Sequence, residues 1–572
     1  MKPKKRVIKE KAIIKPTLPL VMVLANKIIN QLGFVQRINE GVKADASSWS
    51  VDVGRLLKAL VLSTFQDMRA PLTHVSERLR GFDIEYLLEK KGIEADELSA
   101  FSIGRALERL GCADPDSIYE AIALEAVMQN KIPINRLHSD TTTVSFYGEY
   151  DISKLDLTET EKEELLKIER GYNKDGRPEC CQAVVGQVVN ELGIPLISRT
   201  MDGATSDVQW NKMALTYLDN IIGAGFDGIY VADCKLVFED AIKIMFDKDK
   251  PIKFISRVPA NFENGLESRH IDLAYLNFEG GWEELGTFHE GPQASSYKCH
   301  SYSMELYDNR VRLLVLESSS LVYKAQRGLE RDAEKASREL KRLQRKVFQN
   351  EKDAGAELER FTIKWACFDY GLSIIEKTEL KYKRGARKAG LPGQEITTYR
   401  ICPQYESWNL DPCLKQLRYE SCIVLITNVV EGYTDSELLN IYKGQQVVEN
   451  SFRLLKEPQL ASVIFLKNPI RIKGLMMVLS FALLIRAIIQ FKLRQGLDDF
   501  KSENNTIPPK VGWNDRPLEN PTFKLLYEHA YNCRFTKVND DTYSFFWLDD
   551  STEKRVSTLL LLMGYTVDNL LD

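Results

Sequence analysis

A chain of 572 residues is too long for one hydrophobic core and implies several structural units, and its 44% apolar content excludes a disordered protein. Lysine and arginine number 77 against 81 aspartates and glutamates, a net charge of −4, so binding to nucleic acid would have to rest on local basic patches rather than on a basic domain. Ten cysteines form no CxxC pair, and Cys299-His300 alone is too sparse for zinc, which predicts a reduced, intracellular protein.

The chain opens on a basic stretch, Lys2-Pro3-Lys4-Lys5-Arg6 with Lys9, Lys11 and Lys15, and no apolar run of a secretion signal follows it. A second basic stretch runs from Lys381 to Lys388; each reads equally as a solvated segment. From about Leu18 to Gln129 the apolar spacing is helical (Val53, Leu56, Leu57, Leu60 and Val61; Val75 and Leu79; Ile103, Leu107 and Leu110), with breaks at Pro71, Gly92 and Gly111. Ser99 or Ser102 can cap the helix ending near Leu110, on which Arg105 and Arg109 share a face. That helix is either a recognition helix or an ordinary amphipathic one.

From Ile132 the period becomes two. Strands are predicted near Ile134 to Phe146, Cys181 to Val189 and Ile194 to Thr200, the last two joined at Glu191-Leu192-Gly193. A helix over Val208 to Ile222, a strand over Gly228 to Ala232, a helix over Leu236 to Phe246 and a strand over Lys253 to Val258 follow. Three strands, a helix, a strand and a helix is the order of an RNase H-like core, in which acidic residues belong on the first strand and at the end of the fourth. Asp140 and Asp233 fall there.

Residues 259–420 read as an insertion, with strands at Leu285 to His289 and Val311 to Leu316 and one long charged helix from about Leu321 to Arg360. After a strand at Cys422 to Thr427, a helix is predicted from Tyr442 to Lys456. On it Tyr442, Gln445, Glu449, Arg453 and Lys456 are spaced three, four, four and three apart and share one face, while Ile441, Val448, Phe452 and Leu455 form an apolar stripe. Gly444 inside that helix suggests close packing or a close ligand. The apolar run Gly474 to Phe491, interrupted by Ser480, Arg486 and Gln490, reads as a buried helix and not as a membrane span. The end, Val556 to Leu571, is amphipathic and suits either a dimer contact or packing on its own core.

Carboxylates at two strand ends and on one helix are how an α/β fold converges hard oxygen ligands on divalent metals, so Asp140, Asp233 and Glu449 are the candidate triad. His138 shares a side of the strand with Asp140 and is expected to make a structural hydrogen bond. Asp175, Asp207 and Asp227 are alternative carboxylates that loop solvation or helix capping explains more simply, and Cys234 is read as inert.

The spacing Tyr442-x2-Gln445-x3-Glu449-x6-Lys456 resembles the Tyr-Arg-Glu-Lys signature of bacterial insertion-sequence transposases of the DDE type, with Gln where that signature has Arg. The resemblance extends to Leu137-His138-Ser139-Asp140-Thr141-Thr142, Lys174-Asp175-Gly176-Arg177-Pro178-Glu179 with Gln182, Gly203-Ala204-Thr205-Ser206-Asp207, and Phe254-Ile255-Ser256-Arg257-Val258-Pro259. It spans roughly Arg136 to Arg486.

It implies an α/β RNase H-like catalytic core (131–258 and 421–500) with an inserted domain (259–420), an all-α N-terminal DNA-binding domain (1–130) and a C-terminal region (501–572) suited to oligomerisation. It further implies that Asp140, Asp233 and Glu449 hold two Mg²⁺ ions, with Mn²⁺ able to substitute. Tyr442, Gln445, Arg453 and Lys456 would contact DNA phosphates, Arg453 making up for the guanidinium missing at Gln445. Trp282 and Trp365 are candidates to receive a flipped base.

The expected activity is metal-dependent cleavage at transposon ends and strand transfer into target DNA. Successive phosphoester exchanges need no ATP motif, and no GxxxxGK[ST] is found. The expected partners are double-stranded DNA (the terminal inverted repeats and the target) and a second copy in a synaptic homodimer. The expected setting is the cytoplasm of a bacterium or archaeon, at the nucleoid. The alternatives are an RNase H-like nuclease without strand transfer, against which Tyr442 and Lys456 speak, and a non-catalytic DNA-binding protein derived from a transposase, suggested by Gln445 and the net acidity.

Overall fold

The computed structural model describes residues 15–43, 50–66, 74–150, 158, 162, 165–222, 227–247, 251–276, 281–288, 294–382, 392–456, 466–504, 508–539 and 542–571. Both basic stretches fall largely outside them, with only Lys15, Lys381 and Tyr382 described. The described residues form two compact units. One draws on the chain up to Leu236, Asp240–Lys253 and everything from Ile441 onward; the other draws on Val237–Glu239 and Phe254–Asn440.

The first unit contains a mixed sheet with strands β1 (Arg136–Phe146), β2 (Cys181–Asn190), β3 (Pro195–Met201) and β4 (Ile229–Ala232), in the spatial order β3-β2-β1-β4. β1 pairs antiparallel with β2 and parallel with β4, and β2 pairs antiparallel with β3. Valine and threonine dominate β1 and β2 because β-branched side chains suit a pleated surface packed on both faces. The β2–β3 turn closes at Glu191-Leu192-Gly193 as expected. Gly193 takes φ +81°, and Asn190 Oδ1 accepts from the amides of Leu192 at 3.1 Å and Ile194 at 2.9 Å.

Helices pack on this sheet: α1 (Pro115–Asn130), α2 (Asp207–Ile222), α3 (Gln446–Leu455) and α4 (Pro469–Asn504). The expected buried helix is α4, which is long and apolar enough to cross a bilayer but has 89% of its most apolar window buried inside the protein. Two polar residues that interrupt its apolar run are tied to neighbours. Ser480 Oγ meets Ser198 Oγ at 2.8 Å, and the buried Arg486 donates to the Thr64 carbonyl at 2.8 Å while lying over Phe65 and Phe523.

The residues before α1 are mainly helical, as the periodicity predicts, but a strand at Thr17–Pro19 precedes them and pairs with Arg534–Asn539, which pairs in turn with Thr542–Phe546 in a three-stranded sheet. Ser99 caps the helix Ala100–Cys112 as expected. Ile103, Leu107 and Leu110 are buried, that helix lies against α4, and Arg105 and Arg109 stay exposed. The C-terminal helix Asp550–Leu562 buries Val556, Leu559 and Leu560 against the same unit, which is the second of the two packings its amphipathicity allowed.

The second unit has an antiparallel sheet in the order Lys253–Arg257, Cys422–Thr427, Asn309–Ser318, Ser295–Leu306, Glu283–Phe288. The strand Ser295–Leu306, which holds Cys299-His300, was not expected. The single long charged helix is corrected to two, Ser319–Leu343 and Glu351–Lys364. Phe348 pairs with Tyr399 in the break, and Asn350 caps the second helix by accepting from the Asp353 amide at 2.7 Å. Leu329, Ala336, Leu340 and Leu343 of the first helix meet Phe361 of the second in one apolar cluster, so the pair is a helical hairpin. Trp365 packs against that cluster with its indole N–H on Glu339 at 3.1 Å. Trp282 lies among Tyr275 and His300 with the Lys298 ammonium 4.9 Å from its ring.

Candidate active site

The site starts from strand register. β1 and β4 run parallel with Ser139 opposite Ala232, so the register sets Asp140 and Asp233 side by side. Asp233 follows the last residue of β4, whereas Asp140 is not at a strand end as expected but inside β1, opposite Gln187 of β2. Burial raises the pKa of both carboxyls. For Asp140 the proximity of Asp207 adds to the rise, against Lys174 and the Thr141 amide; for Asp233, Asp140 and Asp207 add to it, against the Lys235 amide.

Asp207 enters because of a glycine. Gly186 on β2 faces the Trp210 ring so closely that a β-carbon there would sit 2.4 Å from it. The ring is therefore drawn over the strand, and its N–H donates to Ser139 Oγ at 2.9 Å. This seats the first turn of α2 on β1, where Asp207 opens the helix and accepts a hydrogen bond from the Thr141 hydroxyl.

The Lys174 ammonium completes the cluster. It lies 3.1 Å from Asp207 Oδ1 and 3.4 Å from Asp140 Oδ1, and donates to the Thr141 hydroxyl at 2.7 Å and the Thr141 carbonyl at 3.0 Å. Burial alone would lower its pKa, but Asp140, Asp207 and Asp233 outweigh that and the net shift is upward. Its loop is stapled to the sheet. Asn173 donates to Ser145 Oγ and to Gln182 Oε1, both at 2.9 Å, and the Lys174 amide donates to Thr143 Oγ1 at 3.1 Å. Gln182 is a buried brace, reaching the carbonyls of Gly203 at 2.7 Å and Tyr172 at 3.2 Å.

On the other side, α3 docks through Val448 and Phe452 on Val189, and through Ser451 Oγ donating to Gln187 Oε1 at 2.8 Å. A cavity of about 500 Å³ opens there, lined by Asp140, Thr141, Thr142, Lys174, Glu449, Phe452, Arg453 and Lys456. Glu449 and Arg453 are exposed on its wall. Lys456 is engaged by Asp175 at 2.6 Å.

Two residues of the expected stripe do not belong to it. The continuous helix from Tyr442 to Lys456 is corrected to a helix Asp435–Lys443, a turn at Gly444-Gln445, and α3. The amides of Gly444 and Gln445 bond back only three residues, to Ile441 and Tyr442, both at 3.1 Å, which rotates Tyr442 out of register with Glu449. Neither Tyr442 nor Gln445 lines the cavity, and Gln445 Nε2 lies 3.5 Å from the Ser139 carbonyl.

The close packing expected at Gly444 is present, since a β-carbon there would sit 2.9 Å from the His138 ring. His138 is buried, and burial, with Arg136 nearby, takes its pKa down to about 4, so the ring is neutral at pH 7. Its Nδ1 has no hydrogen-bond partner among the described residues, so packing holds the ring in place of the expected hydrogen bond. Asp227 pairs with Lys253 at 2.5 Å, and its side chain is 90% exposed.

Asp140, Asp207, Asp233 and Lys174 thus form one cluster, with Glu449 across the cavity from it. Among the described residues no three His, Cys, Asp or Glu side chains are gathered to hold one ion in this arrangement. Asp207, set aside from the sequence as an alternative carboxylate better explained by helix capping, is a member; Lys174 stands in a quoted segment, but neither spacing nor residue type marks it.

Residues 18–124 match a family model described as a domain of unknown function (DUF4277). No curated protein matches the chain. Among solved structures it is similar to a piggyBac transposase synaptic complex with hairpin DNA determined by cryo-EM, at 9% identity and a TM-score of 0.38, over 90% of this chain and 81% of that chain. A likeness at that level assigns no role to any residue of the cavity.

Proposed function

We infer that this chain is a DDE-type transposase, cutting DNA at the ends of an insertion sequence and joining them to a target on an RNase H-like core. The observation that carries the reading is the placement of Asp233 beside Asp140 by parallel strands, with Asp140 lining a cavity whose facing helix presents Glu449, Arg453 and Lys456. The strand order, with three antiparallel strands and a fourth parallel to the first, supports the core assignment.

Carboxylate oxygens among which a lysine ammonium already lodges fit the donor chemistry of Mg²⁺ or Mn²⁺. Asp140 and Asp233, with Glu449 from across the cavity, would hold such ions. When bound, they supply activation of a water or a DNA 3′-hydroxyl and charge stabilisation on the leaving oxygen of an in-line displacement.

The protein's own part is to position. Thr141, Asp207 and the Asn173 loop fix the floor of the cavity, and Phe452 gives it an apolar wall. Arg453, which makes no ion pair among the described residues, offers a guanidinium to the incoming phosphate. Lys456 reaches the same cavity but has to leave Asp175 to bind DNA. Double-stranded DNA is the partner of this reading, and holding two ends at once calls for a second copy of the chain.

The test is cleavage and joining of linear DNA carrying the element's flanking ends with Mg²⁺, comparing wild type with Glu449→Gln. Metal-dependent nicks and joined products, both lost in the variant, are expected. Specific end binding without cleavage by wild type would favour the non-catalytic DNA-binding protein instead.

A further inference from the structure

The Lys174 ammonium is caged by four oxygens: the carboxylates of Asp207 and Asp140 at 3.1 and 3.4 Å, and the hydroxyl and carbonyl of Thr141 at 2.7 and 3.0 Å. An ammonium has three protons, and this cage offers it more acceptors than it can satisfy. Hard oxygens clustered around one cation are also what a divalent ion seeks, at shorter distances of about 2.0–2.6 Å.

We propose that Lys174 is the resident cation of this carboxylate cluster, and that a divalent metal ion takes Asp140 only by displacing its ammonium. The inference rests on the metal-dependent reading above and adds a device to it.

Three features of the site make displacement the expected route. An ammonium and a divalent ion on the same Asp140 carboxylate repel each other, so both cannot keep their present distances to it. The Lys174 backbone is pinned, its amide on Thr143 Oγ1 and its neighbour Asn173 on Ser145 and Gln182, so the flexible four-carbon side chain can swing while the loop stays. The exit is open, because Lys174 lines the same cavity as Arg453. An ammonium that leaves the cage joins Arg453 where the phosphate of a DNA end would lie. Metal loading and DNA binding then assist each other, since each favours the same swing.

The experiment is Mn²⁺ binding to the full-length protein without DNA, followed by calorimetry and by the loss of the free-ion EPR signal, for wild type, Lys174→Met and Asp140→Asn. Lys174→Met is expected to bind Mn²⁺ about tenfold more tightly, within the usual range of coupling between two sites. It is also expected to melt at a lower temperature than wild type in chelator and to regain the difference with Mn²⁺. Asp140→Asn should lose the binding. If Lys174→Met does not fold, Lys174→Gln, which keeps a donor for Thr141 without the charge, takes its place.

Unchanged or weaker Mn²⁺ affinity in the lysine variant, with binding still abolished by Asp140→Asn, overturns the displacement and leaves the metal-dependent reading standing. Absence of Asp140-dependent binding in every protein overturns both.

Discussion

The first unit holds two clusters of buried charge, and they are built to opposite ends. In one, Arg199 of β3 meets Asp116 and Glu120 of α1 at 3.5 and 2.6 Å, with its guanidinium 3.3 Å from the centre of the Tyr217 ring of α2. In the other, Lys174 meets Asp140 and Asp207, with Asp233 alongside. Both put more carboxylates than cations in partly dry surroundings, and in both at least one carboxyl is pushed up by burial.

The difference lies in what surrounds them. Arg199 is closed in by strand, helix and aromatic ring, and its charged partners are only 14–15% exposed, so the cluster ties α1 to β3. The Lys174 cluster opens on a cavity with Glu449 and Arg453 on its wall. Buried charge alone therefore does not mark chemistry; buried charge with an unfilled approach does.

The sharpest way to test that contrast is Asp140→Asn against Arg199→Met. Asp140→Asn should cut the DNA nicking rate by at least about a thousandfold while leaving the melting temperature near wild type, measured in parallel on one preparation. Arg199→Met should do the reverse, costing about 3–5 kcal/mol in chemical denaturation because two buried carboxylates lose their cation, with Mn²⁺ affinity unchanged. Loss of Mn²⁺ binding in a folded Arg199→Met protein would erase the distinction.

A smaller effect follows from pH. Burial, outweighing the Arg199 charge, raises the Asp116 pKa from 3.8 to about 6. The folded state then binds this proton more tightly than the unfolded state, so stability falls as pH rises from about 4 to about 6 and levels off above. Asp116→Asn should remove a slope worth on the order of 1–3 kcal/mol across that window, read from urea melts at several pH values. A wild-type profile that rises with pH there would assign the stability to other groups.

The smallest effect belongs to the exposed rim. Arg453→Ala should weaken binding of DNA ends about three- to tenfold and flatten the salt dependence by roughly one phosphate contact in shift assays. An unchanged salt slope would remove Arg453 from the DNA contact.

Much of the fold was legible. The period-two pattern placed β1 to β4 within two residues of their observed ends, because β-branched runs bounded by turn residues have few other uses. The long apolar run found α4, and helical periodicity found the N-terminal helices. It failed at 344–350 and at Gly444-Gln445, where a helix-compatible sequence is interrupted by contacts from elsewhere: Phe348 on Tyr399, and the His138 ring against Gly444.

The sequence by itself determined which residue types were available, namely one aspartate on a strand, one just past a strand and a glutamate on an amphipathic helix, since local pattern alone positions them along the chain. Only the tertiary structure decided their company. The parallel register of β1 and β4 put Asp140 beside Asp233, and the seat of Trp210 over Gly186 brought in Asp207. The anchored Asn173 loop delivered Lys174 from 34 residues beyond Asp140, and the turn at Gly444 took Tyr442 and Gln445 off the cavity wall. These are pairings between segments distant in sequence, set by register and close packing, and no local periodicity encodes them.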